Sequence, residues 1–350
     1  MLKVTAEQTN ASMPATETTA TISTTDASTE QLPPRLTLPL ELVRRILNVP
    51  PPFQDETDAR ACELLVEELS DDELNVAAQT SYVFWVASIM YPDLVTAEIR
   101  HRAAMKEARR HYIGEGKDYA KALLSLQTTI DFRRERKVDL LKTCMQPDHD
   151  YYLNEDSQTA TRYRDYIKDE AKCQTNVVRG HDKMFRCLLV KLKRHSLQAN
   201  NEAFLMAHVY LVERAIATTE VLTEGKEEKC VGICDFGAYH SAFAPPRQVM
   251  KSAMDIFQRH YPERLSNLFI LDPPLWMRVL YAVLRVFLST DTCEKIIMIY
   301  GEVCCVSEFF KIQPTSDLLV EYDKHCHILP CYLIVLAFTG RKRKVVGQSH

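Results

Sequence analysis

Three short, almost wholly apolar stretches, CVGICDF (230–236), LFILD (268–272) and KIIMIY (295–300), alternate with segments of helical pattern. Strands this uniformly apolar, joined by helical crossovers, imply a parallel sheet covered on both faces. One connection stands apart. Leu275–Leu288 (LWMRVLYAVLRVFL) carries only two charges, Arg278 and Arg285, seven apart and therefore on one face of a helix. The rest of its circumference is apolar. These residues alone leave two readings open: a helix buried in the core, or one that roofs an apolar ligand.

At 350 residues the chain has room for two modest domains and a sizeable core. Lys and Arg total 43 against 47 Asp and Glu, a net charge of −4, which argues against an obligate nucleic-acid binder. The N-terminus lacks the basic, apolar, small-residue order of a secretory signal. Its Glu and Asp residues also do not fit an Arg-rich, acid-poor transit peptide. The longest apolar run, Ile328–Phe338 with Pro330 inside it, falls short of the roughly 20 residues a membrane span needs. Eleven cysteines without a signal read as reduced thiols of a cytosolic fold. Cys187, Cys230 and Cys234 lie within strand-like runs, where cysteine packs as a small hydrophobe.

The patterning divides the chain into four. Residues 1–35 are Thr/Ser/Ala-rich and nearly without large apolar side chains, so burial cannot offset their ordering entropy and disorder is expected. Residues 36–146 read as a helical module. Within it, Asp118 is placed to cap a helix carrying Tyr119, Leu123, Leu124, Leu126, Ile130 and Phe132, which ends in Arg133, Arg134, Arg136 and Lys137. Residues 147–312 hold the α/β part. A strand is expected at Phe185–Val190, then a helix at Glu202–Val221 with Phe204, Ala207, His208, Leu211, Val212, Ala215 and Ile216 at core spacing. Pro245 and Pro246 open a further helix whose apolar face is Val249, Met250, Ala253, Met254 and Phe257. Residues 313–350 form a divergent tail. Nothing in the pattern speaks to oligomeric state.

Several motifs are false friends. Asp235-Phe236-Gly237 spells the metal-binding triplet of protein kinases, but no His-Arg-Asp loop accompanies it, and Gly114-Glu115-Gly116 lacks a third glycine. No GxxxxGK[ST] loop and no GxGxxG after a strand supports a nucleotide. His325, Cys326, His327 and Cys331 sit in one short segment rather than as two separated ligand pairs, so no metal site is assigned. Cys304-Cys305 lacks Cys-x-x-Cys spacing, and Cys234, a thiol-nucleophile candidate with His240, lies mid-strand where thiols are inert. No catalytic residue is assigned and no cofactor is expected.

The stretch from about Ala108 to Tyr300 resembles the CRAL-TRIO lipid-binding family, which includes phosphatidylinositol transfer proteins and carriers of tocopherol and retinal. ARRHYIGEGKDYAKALLSLQTTIDFRRERKVD (108–139) is similar to the family's N-terminal helical module, although Arg109-Arg110-His111-Tyr112 stands where a Phe-Leu-Arg-Ala-Arg type sequence is usual. GHDKMFRCLLV (180–190) resembles the turn and strand that begin the lipid-binding domain, and ICDFGAY (233–239) its central strand. The fullest likeness is HYPERLSNLFILDPPLWMRVLYAVLRVFLSTDTCEKIIMI (260–299): a Tyr-Pro-Glu-Arg turn, a strand ending at proline, a gate helix and a Thr-x-x-Lys-Ile turn, in family order. The tail fits least, because Ile328-Leu329-Pro330-Cys331-Tyr332 lacks the family's glycine pair and ends in the basic run Arg341–Lys344.

That resemblance implies an α/β fold with a helical N-terminal module and a mostly parallel sheet flooring an apolar pocket. Trp276, Leu280, Val283, Leu284 and Phe287 would form the gate. Glu263, Thr292 and Lys295, with Tyr261 beside the pocket, would surround a phospholipid headgroup: Lys295 a cation for the phosphate, Thr292 a donor, Glu263 an acceptor for inositol hydroxyls or for Lys295 itself. A structural ion pair between Glu263 and Lys295 that closes the pocket is the alternative reading of those residues, and Arg264 reads as structural. Cys230 replaces a serine hydroxyl of the transfer-protein subgroup with a weaker donor. The implied function is non-enzymatic transfer or presentation of phosphatidylinositol-type lipid, in a cytoplasmic protein that touches membranes transiently. A carrier of an isoprenoid-like molecule and a pocket-containing adaptor that moves no lipid are the alternatives.

Overall fold

Side chains mark where most of the N-terminal helices begin. In this computed structural model, which describes residues 38–145, 156–173, 176–191, 200–237, 246–285 and 290–300, Asp55 caps α2 (Glu56–Glu67) by accepting from Asp58 N, and Ser70 with Glu73 forms a capping box on α3 (Asp71–Ala78). Ser81 caps α4 (Tyr82–Met90), Thr96 caps α5 (Ala97–Gly114), and Asp118 caps α6 (Tyr119–Glu135) as its sequence position predicts. Before them lies α1 (Leu40–Leu47), and after them α7 (Val138–Thr143) and α8 (Ser157–Cys173). The core of these helices is built around α4, where Tyr82 through Ala87 are all buried. Val43 and Ile46, Leu65, Ala104 and Ala108, and Leu126 and Ile130 pack around them. Alanines on α5 let the helices approach closely, while full burial of a side chain such as Phe84 contributes about 1.5–3 kcal/mol.

The second half is a five-stranded sheet whose spatial order, β1-β2-β3-β4-β5, repeats the chain order. The strands are β1 (Asn176–His181), β2 (Cys187–Lys191), β3 (Cys230–Asp235), β4 (Leu265–Leu271) and β5 (Ile296–Ile299). β1 and β2 form an antiparallel hairpin, and every later pair is parallel. Crossovers are supplied by α9 (Asn201–Leu222) and α10 (Arg247–His260), then by α11 (Leu275–Leu284) and α12 (Thr290–Lys295).

This order decides where the first two crossovers lie. When each strand is added on the same side of the last, crossovers of one hand fall on one face of the sheet rather than alternating between two. Accordingly α9 and α10 pack on each other through Phe204, Val249 and Ala253. Cys187 and Cys230 face α9. The opposite face of β3, β4 and β5 presents its own apolar stripe of Val231, Ile233, Phe269, Leu271 and Ile299. Val231, Ile233 and Leu271 of that stripe are buried, so this face is covered as well.

Smaller departures have local causes. The expected strand at Phe185 begins two residues later, because Phe185 sits at the hairpin tip with φ +61°. Its partner β1 went unread, since Asn-Val-Val-Arg-Gly-His offers too little apolar alternation. β4 starts at Leu265, earlier than the apolar run, and Asp272 lies beyond its end with φ +47°. Pro246 is the cap of α10, with Arg247 its first residue. Met254, expected on the core face of α10, is exposed, as is Leu124 of α6. The basic cluster closing α6 is not uniformly solvated: Arg133 is buried. Helices and sheet share one compact unit beginning at Arg35. Among the described residues, no helix is long and apolar enough to cross a membrane.

Candidate functional site

The turn Tyr261–Arg264 joins α10 to β4 and is held from several sides. Pro262 cannot continue the helix, and Glu263 follows with φ +55°, a conformation that a side-chain-bearing residue keeps only when its surroundings impose it. Those surroundings come largely from the N-terminal helices. A Cβ on Gly114, the last residue of α5, would lie 2.9 Å from Pro262 Cβ. Thr129 Oγ1 of α6 donates to the Arg259 carbonyl at 3.2 Å. Arg264 Nη2 lies 3.6 Å from Glu107 of α5, and its Nη1 donates to the Glu228 carbonyl at 3.3 Å. Cys230 N donates to the Arg264 carbonyl at 2.7 Å, which pins the start of β3 beside the turn.

That pinning brings Lys229, one residue before β3, against Glu263. Lys229 Nζ donates to Glu263 Oε2 at 2.6 Å, and Lys295 Nζ, at the end of α12, donates to Oε1 at 3.3 Å. The three side chains are 35%, 20% and 26% exposed in the order Lys229, Glu263, Lys295, so the group is sheltered yet open to solvent. Burial raises the Glu263 pKa, but the Lys229 hydrogen bond and the charges of Lys229 and Lys295 outweigh it and hold the carboxyl below its ordinary value. The carboxylate is ionised at neutral pH, and the cluster carries a net single positive charge. All three residues lie at the N-terminal ends of the parallel strands.

The other expected residues are placed differently. Thr292 lies in α12 one turn before Lys295, and its side chain is outside the described residues. Tyr261 turns inward, its hydroxyl donating to Glu213 of α9 at 2.8 Å, away from Glu263 and Lys295. Burial, then the Glu213 charge, pushes the Tyr261 pKa well above its usual value. Glu213 also accepts from Arg133 at 2.8 Å. Asp139 lies 3.4 Å from Arg133 and 2.8 Å from Lys142, which in turn donates to the Gln79 carbonyl at 2.7 Å. A second buried group joins Arg110 to Glu107 and, at 3.0 Å, to Glu228. These two networks fasten α3, α5, α6 and α7 to α9 and the Tyr261–Arg264 turn. Arg264 joins the second network through Glu107 and the Glu228 carbonyl.

Lys229, Glu213, Glu107 and Glu228 were missed from sequence. For Glu213 a signal existed: an acid embedded in the apolar helix around Leu211, Val212, Ala215 and Ile216. Lys229 carried none, because Glu227, Glu228 and Lys229 read as an ordinary charged loop.

α11 is not a buried core helix. Leu275 is 71% exposed, Trp276 48% and Val279 59%, and these three share one face. Arg278 stacks over Tyr300 at 4.8 Å, and the Tyr281 hydroxyl donates to the Cys293 carbonyl at 3.2 Å. Leu280, Val283 and Leu284 lie in the same helix, with side chains outside the described residues, as Phe287 is entirely. Two openings stand out among the described residues: a shallow depression along α8 lined by Ser157, Thr161 and Tyr166, and a polar cleft of about 20 Å³ beside Lys106, Glu220 and Glu228, room for one water. Neither is an apolar chamber. The stretches 238–245, 286–289 and 301–350, which border the apolar face of the sheet in sequence, lie outside the described residues.

Of the remaining motifs, Asp235-Phe236-Gly237 is a turn in which Gly237 N donates to Asp235 Oδ1 at 2.8 Å. Cys230 is buried, its thiol pKa raised by that burial and its sulfur 3.5 Å from Thr219 Oγ1, so it is a packed thiol rather than a nucleophile. His240, Cys304, Cys305 and the His325–Cys331 cluster lie outside the described residues.

Residues 171–323 match the family model described as CRAL/TRIO domain. Among solved structures the chain is similar to one titled "Crystal structure of Sfh5", with a TM-score of 0.50 and 14% identity over 74% of this chain and 85% of that one, a likeness of fold. Among curated proteins none matches the chain.

Proposed function

Since this chain carries a domain of the CRAL-TRIO family, whose members bind hydrophobic ligands such as lipids, we propose that it binds a phosphatidylinositol-type phospholipid and moves or presents it between membranes. The observation that carries this reading is the sheltered contact of Lys295 with Glu263, 3.3 Å apart at one end of the sheet. Lys295 supplies a cation for the lipid phosphate, Thr292 a hydroxyl donor, and Glu263 an acceptor for inositol hydroxyls. Tyr261 serves by holding the turn. The exposed apolar face of α11, with Trp276 on it, is suited to meet a membrane when the gate opens. Two acyl chains bring about 20–25 kcal/mol of apolar burial, at about 0.8 kcal/mol per methylene, so the carrier must offer an interior comparable with the bilayer. The stripe Val231–Ile233–Phe269–Leu271–Ile299 supports such a floor. The protein acts without catalysis or cofactor, from the cytoplasm, as a peripheral visitor to membranes.

One observation favours a second reading, a carrier of a single isoprenoid-like molecule. Both Glu263 oxygens already hold ammonium donors, as in a purely structural pair. Mass spectrometry of an organic extract of the purified chain separates the two: inositol phospholipid supports transfer, a neutral isoprenoid supports the second reading, and an extract without lipid overturns both. Lys295→Ala is expected to abolish phosphatidylinositol transfer between vesicles with the fold intact; undiminished transfer removes Lys295 from the site.

A further inference from the structure

Resting on that reading, we infer that Lys229 is a specificity-determining residue of the headgroup site: it keeps Glu263 neutralised so that Lys295 is free to engage a lipid phosphate. The argument begins with a cost. Glu263 is the most sheltered member of the trio, at 20% exposure. A carboxylate there that loses its only cationic partner is left partly desolvated and unpaired, which is unfavourable. With Lys295 as sole partner, every phosphate that captured Lys295 would do so against that penalty. Lys229 removes it. Its contact with Glu263, 2.6 Å, is shorter than that of Lys295, 3.3 Å, and it meets the other oxygen, so the two ammoniums do not compete for one acceptor site.

The fold sets this geometry independently of any ligand. Lys229 is placed by the hydrogen bond from Cys230 N to the Arg264 carbonyl and by the Cys230–Leu265 register, whereas Lys295 ends the short helix α12. The anchored ammonium is thus the one fixed by strand pairing. The charge of the trio carries a second consequence. Two ammoniums and one carboxylate leave a net positive charge, which attracts a headgroup whose phosphate is its only charge and disfavours a headgroup that carries a quaternary ammonium of its own. Lys229 therefore favours anionic polyol phosphate headgroups over zwitterionic choline ones.

The test uses the full chain, vesicles containing labelled phosphatidylinositol or labelled phosphatidylcholine, and the variants Lys229→Met and Lys229→Arg. Lys229→Met keeps the side-chain volume and removes the charge. Its loading with phosphatidylinositol is expected to fall roughly tenfold, about 1.4 kcal/mol, and its preference over phosphatidylcholine to narrow with it. Lys229→Arg is expected to retain both, and thermal melting to show both variants folded. Selectivity unchanged in Lys229→Met overturns the inference while leaving the transfer function standing. Loading of neither lipid by the unsubstituted chain overturns that function and the inference together. A loss in Lys229→Met matched by Lys229→Arg, or by an unfolded melt, assigns Lys229 a structural role and overturns the inference as well.

Discussion

Gly114 and Pro262 touch so closely that no side chain fits between them: a Cβ added to Gly114 would stand 2.9 Å from Pro262 Cβ. The end of a helix in the N-terminal half therefore sets the position of a turn at the mouth of the sheet. The proline obstacle is part of a rigid ring, so Gly114→Ala must move either α5 or the turn. Overpacking of this kind costs about 1–3 kcal/mol, partly offset by the better helix propensity of alanine. A net loss of about 1–2 kcal/mol in urea unfolding is expected, with phosphatidylinositol transfer reduced because Glu263 is displaced. A variant as stable as the parent would show that the contact relaxes freely.

Tyr261→Phe distinguishes holding the turn from touching the ligand. The hydroxyl given up is one of the partners of Glu213, which keeps Arg133 at 2.8 Å. Losing one hydrogen bond to a charged, buried acceptor is expected to lower stability by about 1.5–3 kcal/mol. Lipid loading is expected to stay within about threefold, less than 1 kcal/mol. Loss of loading at unchanged stability would instead make Tyr261 a ligand contact.

His260 is expected to make the fold sensitive to mild acid. Its ring stacks on Phe132 with centroids 4.0 Å apart, and burial, followed by the charges of His111, Arg259 and Arg133, lowers its pKa from 6.5 to about 4. The unfolded chain therefore binds this proton more readily than the folded one. The stability it contributes is whole above about pH 6.5 and declines as pH falls toward about 4. Below the ordinary carboxylate range the depressed Glu213, Glu228, Asp139 and Glu263 add their own losses, since each is ionised in the fold and must be protonated. Urea midpoints measured between pH 7.5 and 4.5 are expected to fall, and His260→Phe is expected to flatten the upper part of that decline. A flat profile in the parent would count against this role of His260.

The chain's two tryptophans report on different places, Trp85 in the core of the helices and Trp276 on α11. Anionic vesicles are expected to shift the emission of the parent to shorter wavelength as Trp276 enters the interface, and Trp276→Phe to abolish the shift. Because Trp276 is half exposed, that substitution is expected to change stability by no more than about 0.5 kcal/mol. Emission unchanged by vesicles would remove α11 from membrane contact.

What could be read from sequence was whatever neighbours in sequence decide. The apolar runs at 230, 268 and 295 became β3, β4 and β5 because burial on a pleated sheet selects such residues whatever lies opposite. Asp118 was legible as a cap because its acceptor serves an N–H three residues on. The candidate pair Glu263 and Lys295 was reached through likeness to a family, and the structure brings the two into contact. Three matters belonged to the tertiary structure alone. The helices α9 and α10 gather on one face because β2, β3 and β4 are laid down in order, a property of topology that no strand carries within itself. Arg133 and Glu213 are buried as partners across 80 positions, and Lys229 meets Glu263 across 34. Charged residues of that kind look like solvated surface in a linear reading, since a charge is tolerated in the interior only through a counter-charge that folding delivers from elsewhere.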